Sequence, residues 1–125
     1  MDKIQSTKQY DLEDRTYEFA KRCRDFVVKL AKTQPNVEYG GQLIRSSGSQ
    51  AANYIEANDA ISAKDFLHRI KICRKESKES RLWLRLCEVG AKSESQIAQK
   101  ELIQEAFELT RIFGSIVEKR KQNHV

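Results

Sequence analysis

Six cations, Lys64, Lys71, Arg74, Lys78, Arg81 and Arg85, recur at steps of three, four or seven. That spacing lines them along one side of an α-helix. Like charges four residues apart repel by a few tenths of a kcal/mol per pair, so local helix stability does not favour the line. A phosphate backbone does, because each cation set against it releases condensed counterions. Aromatic residues are not interleaved with the line, so such binding would read backbone and shape more than sequence. The competing reading is a solvated face whose charges find partners on a later helix, such as Glu101, Glu105 or Glu108. Residues 62–90 hold 8 basic and 4 acidic residues, a net of +4 against +5 for the whole chain.

The opposite flank of the same segment carries Ile72, Glu76, Glu79, Trp83 and Leu86, and Leu82 points away from the core stripe altogether. Apolar side chains on three sides of one helix exceed what a monomeric bundle needs. Leu82, Trp83 and Leu86 therefore form a candidate oligomer interface. Glu76 and Glu79 would then lie near a subunit seam, paired with Arg45 or Asn53, or else be ordinary exposed acids.

Catalytic chemistry finds little support. The chain has 2 histidines, His68 and His124. Asp65 and His68 have carboxylate-x-x-His spacing, but a di-iron bundle needs two such motifs and inward carboxylates from two other helices. No Gly-rich phosphate loop follows a strand. The reading is of a non-enzyme with no cofactor and no metal. Cys23, Cys73 and Cys87 are widely spaced without a Cys-x-x-Cys pair, and each falls among apolar residues at helical spacing. Buried free thiols in a reducing compartment fit better than disulfides or zinc.

With 125 residues, 39% hydrophobic and 33% charged, the chain has room for one soluble domain. No stretch approaches the roughly 18 apolar residues of a membrane span. The polar start, Met1 to Lys8, lacks the apolar core of a signal peptide. A cytoplasmic protein without a membrane partner is expected. Strand alternation with Asn-Gly or Asp-Gly turns is absent.

What must position these residues is a set of four helices, expected at about 12–32, 36–58, 62–89 and 94–120. The first places Phe19, Cys23, Phe26, Val27 and Leu30 on one face. Pro35, the only proline, suits the first turn of the second helix. That helix has Leu43, Ile44, Ala51, Tyr54 and Ile55 as its apolar side, with a small-residue centre, Ser46-Ser-Gly-Ser-Gln-Ala-Ala52. Gly48 costs about 1 kcal/mol relative to alanine. Close approach of another helix would offset it, and a kinked middle is the alternative.

The third helix opens on a capping box, Ser62-Ala-Lys-Asp65. It runs about 40 Å at ~1.5 Å per residue to a stop at Gly90. Its core stripe is Phe66, Ile70, Cys73, Ser77, Ser80, Leu84 and Cys87. Ser77 and Ser80 are expected opposite the small run of helix two. The fourth opens on a second box, Ser93-Glu-Ser-Gln96. It carries Leu102, Ala106, Leu109, Ile112, Phe113 and Ile116 before fraying into Lys119-Arg-Lys-Gln-Asn-His-Val125. Short connections make neighbours antiparallel, so the fold class is all-α, an up-down-up-down four-helix bundle forming one domain over 1–125.

Three stretches carry a family likeness: Leu12-Glu-Asp-Arg-Thr-Tyr-Glu-Phe-Ala20, Gln50-Ala-Ala-Asn-Tyr-Ile-Glu56, and Asp65-Phe-Leu-His-Arg-Ile70 leading into Lys75-Glu-Ser-Lys-Glu-Ser-Arg-Leu-Trp-Leu84. Over roughly residues 11–118 the chain resembles the four-helix-bundle proteins encoded by intervening sequences in bacterial 23S ribosomal RNA genes. The resemblance implies a homopentamer without enzymatic activity. It also implies kinship with an accessory protein of the reverse transcriptase of diversity-generating retroelements, where a basic surface is implicated in binding nucleic acid. Asn53 and Glu56 match the family's Asn and Glu near the end of helix two, and Glu76 and Glu79 match its acidic pair in helix three. Many members place Gly directly after the helix-two Glu, whereas this chain has Ala57-Asn58, and Asn58 could take the left-handed stop one residue later.

Two function classes follow: an oligomer that binds RNA or DNA backbone, and an oligomeric adaptor that docks a protein such as a reverse transcriptase.

Overall fold

A computed structural model describes the backbone of residues 8–123 and the side chains of residues 12–121. It contains α1 (Lys8–Val28), α2 (Gln34–Asn58), α3 (Ala63–Leu86) and α4 (Ser93–Asn123). Most of the polar start and His124 lie outside the described residues.

Each helix packs on its two neighbours in a closed ring, α1–α2–α3–α4–α1, with no diagonal backbone contact. The register falls on one helix as it rises on the next, so every adjacent pair is antiparallel. Between α2 and α3 the Asn53–Arg69, Ser46–Ser80 and Tyr39–Trp83 contacts trace this. Between α3 and α4 it is traced by Gln99 on Leu84, Arg81 on Phe107 and Arg120 on Phe66. The all-α up-down-up-down bundle is thus the observed fold.

Local chemistry sets the helix ends. Thr33 caps α2 by accepting from the Asn36 N–H at 3.3 Å, with Pro35 in the first turn, where a missing N–H costs nothing. Ser62 caps α3 by accepting from the Asp65 N–H at 3.0 Å. Four expected ends in α2, α3 and α4 differ, and α1 spans Lys8–Val28 rather than 12–32. α3 stops at Leu86 rather than Val89, because the buried side chain of Asn36 captures the chain beyond it. Its Nδ2 donates to the Glu88 carbonyl at 2.9 Å and its Oδ1 accepts from the Glu88 N–H at 2.8 Å. Gly90, at φ +65°, then turns the loop three residues further on than a cap would.

The capping box at Ser93–Gln96 is not made. Ser93 is already helical, and Gln96 Nε2 instead donates to the Gly90 carbonyl at 2.7 Å. Asn58 does not go left-handed, since no non-glycine among the described residues has positive φ. The N–H groups of Asp59 and Ala60 close the end of α2 onto Glu56 and Ala57 carbonyls at 3.1 Å. α4 continues as helix to Asn123 instead of fraying from Lys119.

The core holds Phe19, Cys23, Phe26, Leu43, Tyr54, Ile70, Cys73, Leu84, Leu102, Leu109 and Phe113. The stripe read on α3 is buried from Ile70 to Cys87, with Phe66 half-covered. Helix two departs from expectation. Ile44 and Ile55 face outward, and Ser46, Ser47 and Gln50 occupy the buried stripe between Leu43 and Tyr54. These polar side chains are tolerable because most of their polar atoms bond, Gln50 Oε1 being without a partner among the described residues. Ser46 and Ser80 hydroxyls meet at 2.7 Å, and Gln50 Nε2 donates to the Thr16 and Ser47 carbonyls at 2.9 Å. Ser80 therefore does face the small run of α2.

Gly48 does not: a Cβ there would meet nothing within 4 Å, and α2 runs through it as unbroken helix. Close approach occurs instead at Gly40, where a Cβ would stand 2.9 Å from Val27 Cγ1. All three cysteines are buried and free. Burial pushes the Cys23 and Cys73 thiols up to about 12 and Cys87 to about 11.

Candidate nucleic-acid interface

α4 divides its charges between its two neighbours, and that division decides what α3 presents outside. Three of its acids, Glu101, Glu105 and Glu108, turn towards α1. Arg15 donates through Nε to Glu105 at 2.7 Å and through Nη2 to Glu108 at 2.7 Å, while Arg22 Nη2 donates to Glu101 at 2.9 Å. The three carboxylates offered by the sequence as partners for the basic line are therefore engaged on the far side of α4. Hydrogen bonds from the Gln104 amide and from Arg15 hold Glu108 below the usual carboxylate range.

Among the described residues, no carboxylate lies within ion-pair distance of Lys64, Lys71, Arg74, Lys78, Arg81 or Arg85. Lys64, Lys71, Lys78 and Arg85 are exposed, while Arg74 and Arg81 are half-buried at the α3–α4 junction. The stem of Arg74 passes over Gly114, whose hydrogen in place of a side chain leaves 3.7 Å to Arg74 Cδ from an ideal Cβ. The Arg81 guanidinium carbon stands 5.7 Å from the Phe107 ring centroid, and that of Arg111 stands 5.8 Å from the same ring, both within cation–π range. Arg81 Nε is buried without a partner among the described residues. Phe107 and Arg111 were not legible as part of this surface, because they join it from another helix.

The α2-facing flank is spent differently. Glu76 is buried and lies 3.7 Å from Arg45, which also reaches Glu79 at 3.9 Å. Asn53 accepts from Arg69 Nη1 at 2.9 Å. So Arg45 does pair with both acids, within one chain, and Glu76 is no ordinary exposed acid; its Oε1 has no partner among the described residues. Glu56 is exposed. Trp83 is half-buried, stacked on Tyr39 with centroids 5.8 Å apart and planes 19° apart. Leu82 and Leu86 remain 45% and 39% exposed.

His68 is exposed, and no group of three His, Cys, Asp or Glu among the described residues is placed to hold a metal. No helix of the described residues is long and apolar enough to cross a membrane.

A closed ring of four antiparallel helices, with a row of cations on α3 that meets no carboxylate among the described residues, defines a small helical-bundle protein. Residues 8–115 match the family model described as 23S rRNA-intervening sequence protein, and the chain belongs to that family. It is also similar to a crystal structure of a protein of unknown function from the S23 ribosomal protein family of Bacteroides thetaiotaomicron. The two share 27% identity at a TM-score of 0.76, over 90% of this chain and 99% of the other. No curated protein matches the sequence.

Proposed function

We propose that this is a non-enzymatic, oligomeric bundle of the cytoplasm that binds the backbone of RNA or DNA through the outer side of α3. The observation that carries the reading is the charge division across α4. Glu101, Glu105 and Glu108 serve Arg15 and Arg22 of α1, so among the described residues the six cations of α3 have no carboxylate at ion-pair distance to hold them. Cations kept in a row against their mutual repulsion suit an anionic partner of repeating charge. Assembly, a pentamer by family resemblance, would multiply these weak contacts through effective concentration.

Charge reversal tests it. The parent protein should bind a fluorescent oligonucleotide at low salt and release it steeply as salt rises. The quadruple variant R74E/K78E/R81E/R85E, checked for helicity, should not bind. Equal binding by that variant overturns the reading.

A second reading, an oligomeric adaptor for a protein partner such as a reverse transcriptase, is favoured by the exposed Leu82 and Leu86 beside Trp83. A further exposed stripe of Val37, Ile44 and Ile55 on α2 points the same way. Capture of a polymerase that survives nuclease treatment would support it over the first. Light scattering on the parent and on L82S/W83S tests the shared claim of assembly, and a monomeric parent contradicts it.

A further inference from the structure

Resting on the nucleic-acid reading above, we infer that Phe107, with the Arg81 and Arg111 guanidinium groups beside it, is a stacking platform for an unpaired base, so that the surface selects single-stranded over duplex nucleic acid. The ring is 41% exposed and is not among the side chains packed on the core. Burial within the chain therefore leaves a large part of this phenylalanine open to solvent. Its immediate neighbours are two guanidinium groups, one from α3 and one from α4. Arg74, Lys78 and Arg85 continue the positive charge along α3.

Cations beside a partly exposed aromatic ring combine what strand binding uses: charges that follow the phosphates and a flat apolar surface against which a base can rest. The guanidinium planes add further stacking surface. A duplex keeps its base faces inside its own stack and can offer the surface only phosphates. The Phe107 ring is thus useful to a single strand and idle towards a duplex. Being sequence-tolerant, it predicts selection by strandedness and not by base identity.

The test uses a fluorescein-labelled 20-nucleotide RNA of mixed sequence, the same strand annealed to its complement, and a strand of equal length carrying abasic positions. Anisotropy is measured on the parent, F107A and F107W, each checked for an unchanged melting profile. Base stacking is worth a few-fold to a hundredfold per base. F107A should therefore weaken single-strand binding about tenfold while leaving duplex binding, abasic binding and the salt slope unchanged. F107W should restore the single-strand affinity.

Unchanged single-strand binding by F107A overturns the platform. It leaves the backbone reading intact if R74E/K78E/R81E/R85E still abolishes binding. Equal loss on all three probes also overturns it, since the ring would then only be supporting the arginines. A parent that binds no probe at low salt removes the backbone reading and the platform with it.

Discussion

Asn36 and Glu88, at opposite ends of the polypeptide's middle half, hold each other through a reciprocal pair of hydrogen bonds. The Asn36 amide donates to the Glu88 carbonyl at 2.9 Å and accepts from its N–H at 2.8 Å, with a further bond from Nδ2 to the Ala31 carbonyl at 3.0 Å. One buried side chain thus joins the α1–α2 turn to the segment after α3.

Truncating it should be costly. Asn36→Ala leaves backbone groups unpaired at a buried site, at about 1–3 kcal/mol for each group orphaned. The expected loss in urea unfolding is about 2–4 kcal/mol. Asn36→Asp should lose at least as much, because a carboxylate would face two carbonyl oxygens.

Two glycines of α2 should answer alanine with opposite signs. At Gly48 a Cβ meets open space, so Gly48→Ala should stabilise by about 1 kcal/mol through helix propensity alone. At Gly40 the same methyl would stand 2.9 Å from the stiff Val27 side chain, so Gly40→Ala should destabilise by roughly 1–3 kcal/mol. Pairing it with Val27→Ala should recover much of the strain, read as non-additivity in a double-mutant cycle.

The thiols should be silent in the native state. Burial keeps Cys23 protonated to about 12 against an ordinary 9.0. A thiol-disulfide reagent at pH 8 should label no cysteine until the bundle unfolds. Because the folded chain retains this proton after the unfolded chain has lost it, stability should fall as pH rises from about 9 towards 12. A Cys23→Ala variant should flatten that alkaline slope.

Acid should loosen the α1–α4 seam first. Glu108 is held below its ordinary 4.5, chiefly by the Gln104 amide and then by Arg15. Its contribution is present above the ordinary carboxylate value and is lost as pH falls through the lower native one. Protection factors in α1, corrected for the intrinsic exchange rate, should therefore fall at acid pH before those in α2 or α3, and Glu108→Gln should blunt the change.

How far these features could be read in the sequence depends on whether a signal lay within one helix or between two. The heptad stripe of α3 and the three buried cysteines are periodic within single segments, and the structure has them where the spacing put them. α2 departs from its hydrophobic pattern at Ile44 and Ile55 because its buried stripe is built from Ser46, Ser47 and Gln50. Hydrophobic periodicity cannot register core positions filled by hydrogen-bonding side chains. The early stop of α3 depends on Asn36, fifty-two residues distant. The same limit hid Phe107: only the α3–α4 register brings an aromatic ring into a row of cations that has none in its own sequence.

The allocation of α4's acids to α1 has a kinetic corollary. With positive charge gathered along the α3 side and carboxylates neutralised across the α1–α4 seam, the bundle is electrically lopsided across its width. A long polyanion would turn the molecule during approach, so that encounters arrive already oriented. Moving one carboxylate from that seam to the outer side of α3 would leave net charge alone and yet slow the capture rate, separating orientation from overall attraction.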